Sequence, residues 1–389
     1  MFHVQTLNQI SVAGLDRFPR DRYEVASEFS HPDAILLRSH KLPAADAGKS
    51  VLAVARAGAG VNNIDVPAFT QRGVPVFNTP GANANAVKEL VLAALLLGSR
   101  GILSGIEWVN SLDIGDAAEM HRTVEAEKKR FKGHELAGKT LGVVGLGAIG
   151  SKVADMALSL GMNVLGYDPA LSVEAAWRLP SRVGRMDNLP SLFARSDFVT
   201  LHLPLLDATR DLVNAELLRQ ARPGMKLLNF ARDGIVCEQS VVDALASEQL
   251  GMYLCDFPSP ILHGRDGVVA MPHIGASTQE SEDNCAVMAA DQLMDFLEHG
   301  NIVNSVNFPT LVLERAGGHR ISVTNRNVPR MLGQVLAVLS DANINVLDML
   351  NKSRDEIAYN LLDLEVAPDE ATLDRIRAIE GVVDVRALG

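Results

Sequence analysis

Gly145-Leu146-Gly147-Ala148-Ile149-Gly150 stands between an apolar run, Leu141 to Val144, and a segment in which Ile149, Val153, Met156, Ala157 and Leu160 share one helical face. Glycines at this spacing mark a strand that turns tightly into a helix. The first permits the turn, the second lets a ligand reach the backbone, and the third allows close helix–strand packing. The free N–H groups and dipole of the helix start then favour an anion such as a diphosphate. Asp168 closes the next apolar run, 18 residues after Gly150. A carboxylate there accepts hydrogen bonds from ribose hydroxyls and repels a 2′-phosphate. The residues Gly145, Gly147, Ala148, Ile149, Gly150 and Asp168 therefore predict a dinucleotide site that prefers NAD to NADP.

The same strand-then-helix rhythm continues through Phe198 to Leu203, Lys226 to Asn229, Tyr253 to Cys255 and Val268 to Met271, as expected for a parallel sheet covered on both faces. A similar rhythm precedes it, with strands expected at Val4 to Leu7, Ala34 to Leu37, Val51 to Ala55 and Val74 to Phe77. A helix is expected from Asp283 to His299. After Thr310 to Gly318, taken as a linker, the order becomes βαββαβ, with strands at Ile321 to Val323, Ile344 to Leu350, Ile357 to Leu364 and Val382 to Leu388. The predicted fold is α/β. It has two Rossmann-like doubly wound domains and a small βαββαβ domain at residues 319–389.

A length of 389 residues exceeds what one core usually serves, which agrees with several domains. The net charge of −11 gives no general attraction to nucleic acid or anionic membranes, so neither is expected as a partner. Three cysteines without metal-ligand spacing argue against a zinc site or a disulfide framework, and a reducing cytoplasm is expected.

Two further residues stand where open parallel sheets bind ligands, just past the carboxyl ends of strands. Arg232 follows Leu227-Leu228-Asn229-Phe230-Ala231, and its guanidinium suits a carboxylate and a neighbouring oxygen. His273 follows Met271-Pro272, and an imidazole can take the proton of an alcohol as hydride leaves its carbon. Alone, each has a plain alternative, a surface arginine beside a turn and a structural histidine beside a proline.

The glycine fingerprint, Asn229-Phe-Ala-Arg232-Asp-Gly and Pro272-His-Ile-Gly-Ala-Ser-Thr278, in that order, along with His202-Leu-Pro204 and Asn78-Thr-Pro-Gly-Ala-Asn83, resemble the D-2-hydroxyacid dehydrogenases. The resemblance covers about the first 310 residues. It implies a substrate domain of residues 1–97 and 283–309 wrapped around an NAD domain of residues 98–282. It also implies Arg232 and His273 as catalytic residues, and cofactor contacts at His202, Pro204, Phe230, Ala231, Arg232 and Asp256. Substrate contacts are implied at Asn83, at Arg232, and at the backbone N–H groups of Ala57 and Gly58 in Arg56-Ala-Gly-Ala-Gly-Val.

Arg38-Ser39 is similar to the phosphate-contacting strand end of the phosphoglycerate-oxidising members, which implies 3-phosphoglycerate as substrate. The tail is similar to ACT domains through Val323-Thr-Asn-Arg-Asn-Val-Pro329 and Ala342-Asn-Ile-Asn345, which implies an amino-acid effector such as serine at Asn325, Asn327 and Asn345. The family also implies a homodimer or homotetramer. Other hydroxyacid dehydrogenases, such as hydroxypyruvate or glyoxylate reductases, and NAD-binding corepressors stay open as alternatives.

Two features depart from these patterns. Asp256-Phe-Pro-Ser-Pro260 has no glutamate where relatives carry the acid that supports the catalytic histidine. Either His273 works without a carboxylate or another acid reaches it. Arg330 follows Pro329 where ACT domains commonly have glycine.

Overall fold

The structure is a computed structural model that describes residues 1–177, 179–315 and 317–389. The chain forms two compact units, one of Met1–Asn83 with Thr278–Gly389, the other of Ala84–Ser277.

The first unit begins with β1 (Phe2–Leu7), α1 (Val12–Leu15), β2 (Tyr23–Ala26), β3 (Ala34–Leu37), β4 (Ala53–Arg56), α2 (Val66–Gln71) and β5 (Val76–Phe77). These strands make a parallel sheet of order β2-β1-β3-β4-β5, the flavodoxin-like winding. Every residue of β3 is buried, as a strand covered on both faces requires.

The second unit contains α3 (Ala84–Ser99), α4 (Ile102–Asn110), α5 (Ala117–Glu127), β6 (Thr140–Val144), α6 (Ala148–Ser159), β7 (Asn163–Tyr167), α7 (Val173–Trp177) and β8 (Gly184–Arg185). It continues with α8 (Leu189–Arg195), β9 (Phe198–Leu201), α9 (Ala215–Arg219), β10 (Met225–Asn229), α10 (Glu238–Ala246), β11 (Leu250–Cys255) and β12 (Val268–Ala270). The order β12-β11-β10-β9-β6-β7-β8 is the doubly wound arrangement, with its switch point between β6 and β9. No single described helix is long and apolar enough to cross a membrane.

The structural boundaries fall earlier than the expected ones. A division at 97/98 would cut α3, whose Val87, Val91, Ala94 and Leu95 share a core with Val153, Ala154, Leu228 and Leu254 of the second unit. A division at 282/283 would cut α11 (Gln279–His299), whose N-cap Thr278 accepts a hydrogen bond from Ser281 N at 3.1 Å.

After α11 come β13 (His319–Arg326), α12 (Met331–Asp341), β14 (Val346–Arg354), β15 (Ile357–Leu364), α13 (Glu370–Arg377) and β16 (Val382–Leu388). They form an antiparallel sheet of order β14-β15-β13-β16 and give the expected βαββαβ order. Arg330 adopts a left-handed φ of 75°, a strained conformation for a residue with a Cβ.

The tail is not separate from the rest of its unit. Ile321, Val323, Val335 and Leu362 pack among its own helices and strands, whereas Ile357, Tyr359, Leu361 and Leu388 join Leu293, Phe296 and Leu297 of α11. The expected linker is also part of that core, because Leu311 and Leu313 are buried and Ile302 and Leu311 exchange backbone hydrogen bonds of 2.8 and 2.9 Å. Of its residues, Ala316 lies outside the described ones.

Arg320, held by an ion pair inside the tail, also reaches the rest of the unit. Arg320 donates from Nε and Nη2 to the two carboxylate oxygens of Asp363, at 2.6 and 2.9 Å, and from Nη1 to the carbonyls of His299 and Leu313. Tyr359 donates its hydroxyl to Gly300 O at 2.8 Å. Gly300 has φ 72°, and a Cβ there would stand 2.6 Å from Leu388 Cδ1, so both the helix end and the packing demand glycine.

Removing one partner of such a pair leaves an uncompensated charge. Arg320→Ala is expected to destabilise the protein by about 3–5 kcal/mol. Arg320→Met with Asp363→Leu should recover part of the loss, short of all of it because the carbonyls of His299 and Leu313 stay unpaired. Denaturant unfolding of the two variants checks this, and equal stability of wild type and Arg320→Ala would refute the role of the pair.

Candidate active site

The turn from β6 into α6 uses its three glycines differently. Gly145 has φ 87°, donates to Tyr167 O at 2.9 Å, and could not carry a Cβ, which would lie 2.4 Å from His202 O. At Gly150 a Cβ would stand 1.9 Å from Gly145 O, so helix and turn touch through their backbones. At Gly147, the N-cap of α6, an added Cβ would meet nothing within 4 Å. That glycine therefore leaves open the approach to the helix N-terminus, as a cradle for a diphosphate requires. Ala148 is exposed and Ile149 half-buried beside it.

Asp168, past the end of β7, has a second duty. Its Oδ2 accepts from Leu146 N at 2.8 Å and its Oδ1 from Ala170 N at 2.9 Å, so the carboxylate braces the glycine turn. Each oxygen keeps acceptor capacity for a ribose hydroxyl.

Next to this turn, His202 continues the line of β9. Its Nε2 lies 3.0 Å from Thr200 Oγ1, and its buried Nδ1 has no hydrogen-bond partner among the described residues. Burial pushes its pKa from 6.5 down to about 3, so the ring is neutral at ordinary pH. Pro204 is exposed and its carbonyl accepts from Thr209 Oγ1 at 2.6 Å.

At the end of β10, buried Asn229 shapes the turn that presents Arg232. Its Nδ2 donates to Arg232 O at 3.0 Å and its Oδ1 accepts from Ala231 N at 3.2 Å. Phe230 and Ala231 are buried, while Arg232 reaches solvent with Nη1 donating to Ala231 O at 2.7 Å. The surrounding protein removes enough hydration to lower the guanidinium pKa below the usual arginine range.

The His273 loop depends on Asp256. This buried carboxylate accepts from Ile274 N at 2.8 Å through Oδ1 and from Gly275 N at 2.7 Å through Oδ2. A Cβ on Gly275 would lie 2.9 Å from Oδ2, so the glycine is needed for the clasp. His273 itself is exposed with a left-handed φ of 57°, and its ring meets Phe257 edge-on, centroids 5.1 Å apart. Asp256 was expected as a cofactor contact, and both of its oxygens hold the loop. No described carboxylate of this unit forms an ion pair with His273, so its ring is oriented by Phe257 and the clasped backbone. Sequence reasoning passed over Phe257 and Asn229, although both stood inside quoted motifs. Arg232, Asp256 and His273 thus follow three neighbouring strands, β10, β11 and β12, at one edge of the sheet.

The first unit assembles the other expected residues. Arg38, after β3, pairs through Nη2 with Glu282 Oε1 at 2.8 Å, and its carbonyl accepts from Arg56 Nε at 2.9 Å and Asn63 Nδ2 at 3.2 Å. Ser39 is exposed. The N–H groups expected to meet a carboxylate are engaged here, Ala57 N with Leu37 O at 2.8 Å and Gly58 N with Arg56 O at 2.9 Å. Asn83 Oδ1 is buried without a partner among the described residues.

The three asparagines expected to bind an effector are not brought together. Asn325 is buried, its Oδ1 accepting from Asn360 Nδ2 at 2.8 Å and its Nδ2 donating to Arg326 O at 2.6 Å. Asn327 donates from Nδ2 to Asp355 O at 3.1 Å. Asn345 precedes Val346, which pairs with Leu364, whereas Asn325 pairs with Ala358, six residues away along β15. At about 3.4 Å per residue, that separation is roughly 20 Å.

Comparison with known proteins agrees with this geometry. Residues 106–275 match the profile of the D-isomer specific 2-hydroxyacid dehydrogenase NAD binding domain. The chain is 31% identical over 358 residues to a D-3-phosphoglycerate dehydrogenase of Escherichia coli K12, covering 88% of this chain and 83% of the relative. The chain belongs to the D-isomer specific 2-hydroxyacid dehydrogenases. A D-3-phosphoglycerate dehydrogenase of Synechocystis is 38% identical over 288 residues, covering 72% of this chain but 49% of the relative, so the chain spans about half of that protein's length. An NAD+-bound 3-phosphoglycerate dehydrogenase of Entamoeba histolytica, 26% identical, superposes with TM-score 0.62 over 80% of this chain and 99% of its own. Membership in the family makes NAD the cofactor of the second unit, whose residues 106–275 match its NAD binding domain.

His202, half-buried with its Nδ1 shielded from solvent, makes a testable contribution to acid sensitivity. The unfolded chain takes a proton on this ring below about 6.5, whereas the folded protein resists it until about 3. Stability therefore falls as pH drops through that window. His202→Asn is expected to flatten the loss of melting temperature between pH 7 and pH 4. An unchanged slope would show that the ring does not stay neutral in the folded state.

Proposed function

We propose that the chain catalyses NAD-dependent oxidation of 3-phosphoglycerate to 3-phosphohydroxypyruvate, the reaction that opens serine synthesis. The second unit holds NAD and the first unit receives the substrate. The observation that carries the choice of substrate is Arg38, a part-exposed guanidinium at the carboxyl end of β3 beside Ser39, in a chain whose relatives include D-3-phosphoglycerate dehydrogenases. A guanidinium with a hydroxyl donor suits a phosphate dianion.

In this reading Arg232 grips the substrate carboxylate and the C2 oxygen. Its partly desolvated guanidinium strengthens that charge-assisted contact. His273 takes the C2 hydroxyl proton onto an imidazole nitrogen, and Asp256 holds the His273 backbone in place through Ile274 and Gly275. Phe257 limits rotation of the imidazole. NAD, when bound, supplies the acceptor for the C2 hydride. The glycines at 145, 147 and 150 fit it, with Gly147 leaving room for the diphosphate and Asp168 for the ribose. An effector role for Asn325 gains no support from its internally satisfied side chain.

His273→Ala should lose roughly 10²–10⁴ in turnover while still binding NAD. Retention of near-normal turnover would give the proton to another residue. Arg38→Ala should weaken use of 3-phosphoglycerate by about 1.5–3 kcal/mol and spare unphosphorylated 2-hydroxyacids. Catalytic efficiency should favour NAD over NADP by on the order of 10- to 100-fold, because Asp168 faces the added phosphate. Equal efficiency with the two cofactors would remove Asp168 from that role.

A further inference from the structure

We propose that Glu282 determines specificity by competing with the substrate phosphate for Arg38. The proposal rests on the reading that Arg38 receives the phosphate. Arg38 Nη2 and Glu282 Oε1 stand 2.8 Å apart, with side chains 39% and 38% exposed, so an incoming anion can reach both.

The two backbones are fixed independently of the pair. The Arg38 carbonyl is held by Arg56 Nε and Asn63 Nδ2. Glu282 lies in the first turn of α11, which buries Cys285, Ala286 and Ala289 in the same core as Ala53 and Ala55 of β4. Arg17 Nε bonds Asp291 on the same helix at 2.8 Å. The carboxylate is therefore presented to the guanidinium by a seated helix, and is not a surface side chain that met it by chance.

A phosphate that binds Arg38 must take over the donor now given to Glu282, and it places a dianion beside a carboxylate. Like charges set side by side weaken one ligand against another, which is how a repulsive element creates specificity. A hydroxyacid with a neutral tail leaves the pair intact and meets no such penalty. Glu282 thus keeps Arg38 from being held by free phosphate and lowers affinity for phosphorylated substrate, without touching the reacting carbon.

The test compares wild type, Glu282→Gln, Arg38→Ala and the double variant, using 3-phosphoglycerate and D-glycerate as substrates and inorganic phosphate as inhibitor. Retained NAD binding reports that each variant is folded. Glu282→Gln should lower KM for 3-phosphoglycerate roughly 5- to 20-fold and the phosphate inhibition constant in parallel. KM for D-glycerate and kcat should change less than about two-fold, and in the Arg38→Ala background the gain should nearly vanish. A raised KM for 3-phosphoglycerate in Glu282→Gln would overturn the proposal, because Glu282 would then be positioning Arg38 for phosphate. An undiminished gain in the Arg38→Ala background would also overturn it, since Glu282 would not act through Arg38. If Arg38→Ala harms the two substrates equally, the phosphate reading itself fails, independently of what Glu282→Gln does.

Discussion

The Asp256 carboxylate, buried at the end of β11 and clasping the N–H groups of Ile274 and Gly275, is the contact on which the arrangement of the His273 loop depends. His273 has a left-handed φ, which costs energy in a residue with a Cβ, and a loop in that state persists only where neighbouring contacts over-determine it. Two charge-assisted hydrogen bonds from adjacent amides do so. Asp168 does the same for the glycine turn through Leu146 and Ala170. The second unit therefore uses one carboxylate at each of two strand ends to hold backbone, while Arg232 and His273 stand exposed beside them.

The β6–α6 turn was legible because only glycine satisfies its close backbone approaches, and the central strands were legible because they are buried on both faces and read as apolar runs. β15 has the expected limits, Ile357 to Leu364, and all eight residues are buried, although Asn360 and Asp363 interrupt its apolar residues. Short edge elements were not legible. β8 has two residues and β2 four, with Glu24 exposed, too few to produce a period. Helices α4 and α5 bury none of their residues, so no core-facing stripe announced them.

Other contacts of the expected residues could not be read from the sequence. Asp168 and Asp256 were expected to face a cofactor, and nothing in a linear sequence reveals that backbone amides from 18 and 19 residues further on claim both oxygens of Asp256. The Ala57 N–H is spent on Leu37, because the turn after β4 continues the hydrogen bonding of its sheet for one more residue. The boundary near residue 97 was missed for a related reason. An apolar helix looks the same whichever core accepts its face, and only packing against Val153 and Leu228 decides that α3 belongs to the second unit.

The C-terminal βαββαβ module follows from the same logic of shared faces. A sheet covered by helices on one side needs a partner for the other, and here α11 supplies it through Leu293, Phe296 and Leu297. Once that face is buried, the polar groups at its rim must be satisfied internally, and Arg320 meets Asp363, His299 O and Leu313 O at once. Arg320 and Asp363 both belong to the module, so what ties it to the rest of its unit is the apolar face against α11 together with the Arg320 hydrogen bonds to His299 O and Leu313 O. The 21 residues of α11, about 31 Å at 1.5 Å per residue, join the module to Glu282 and Arg38 at the helix start. This helix is one physical route between the tail and Arg38, seated against β3 and β4.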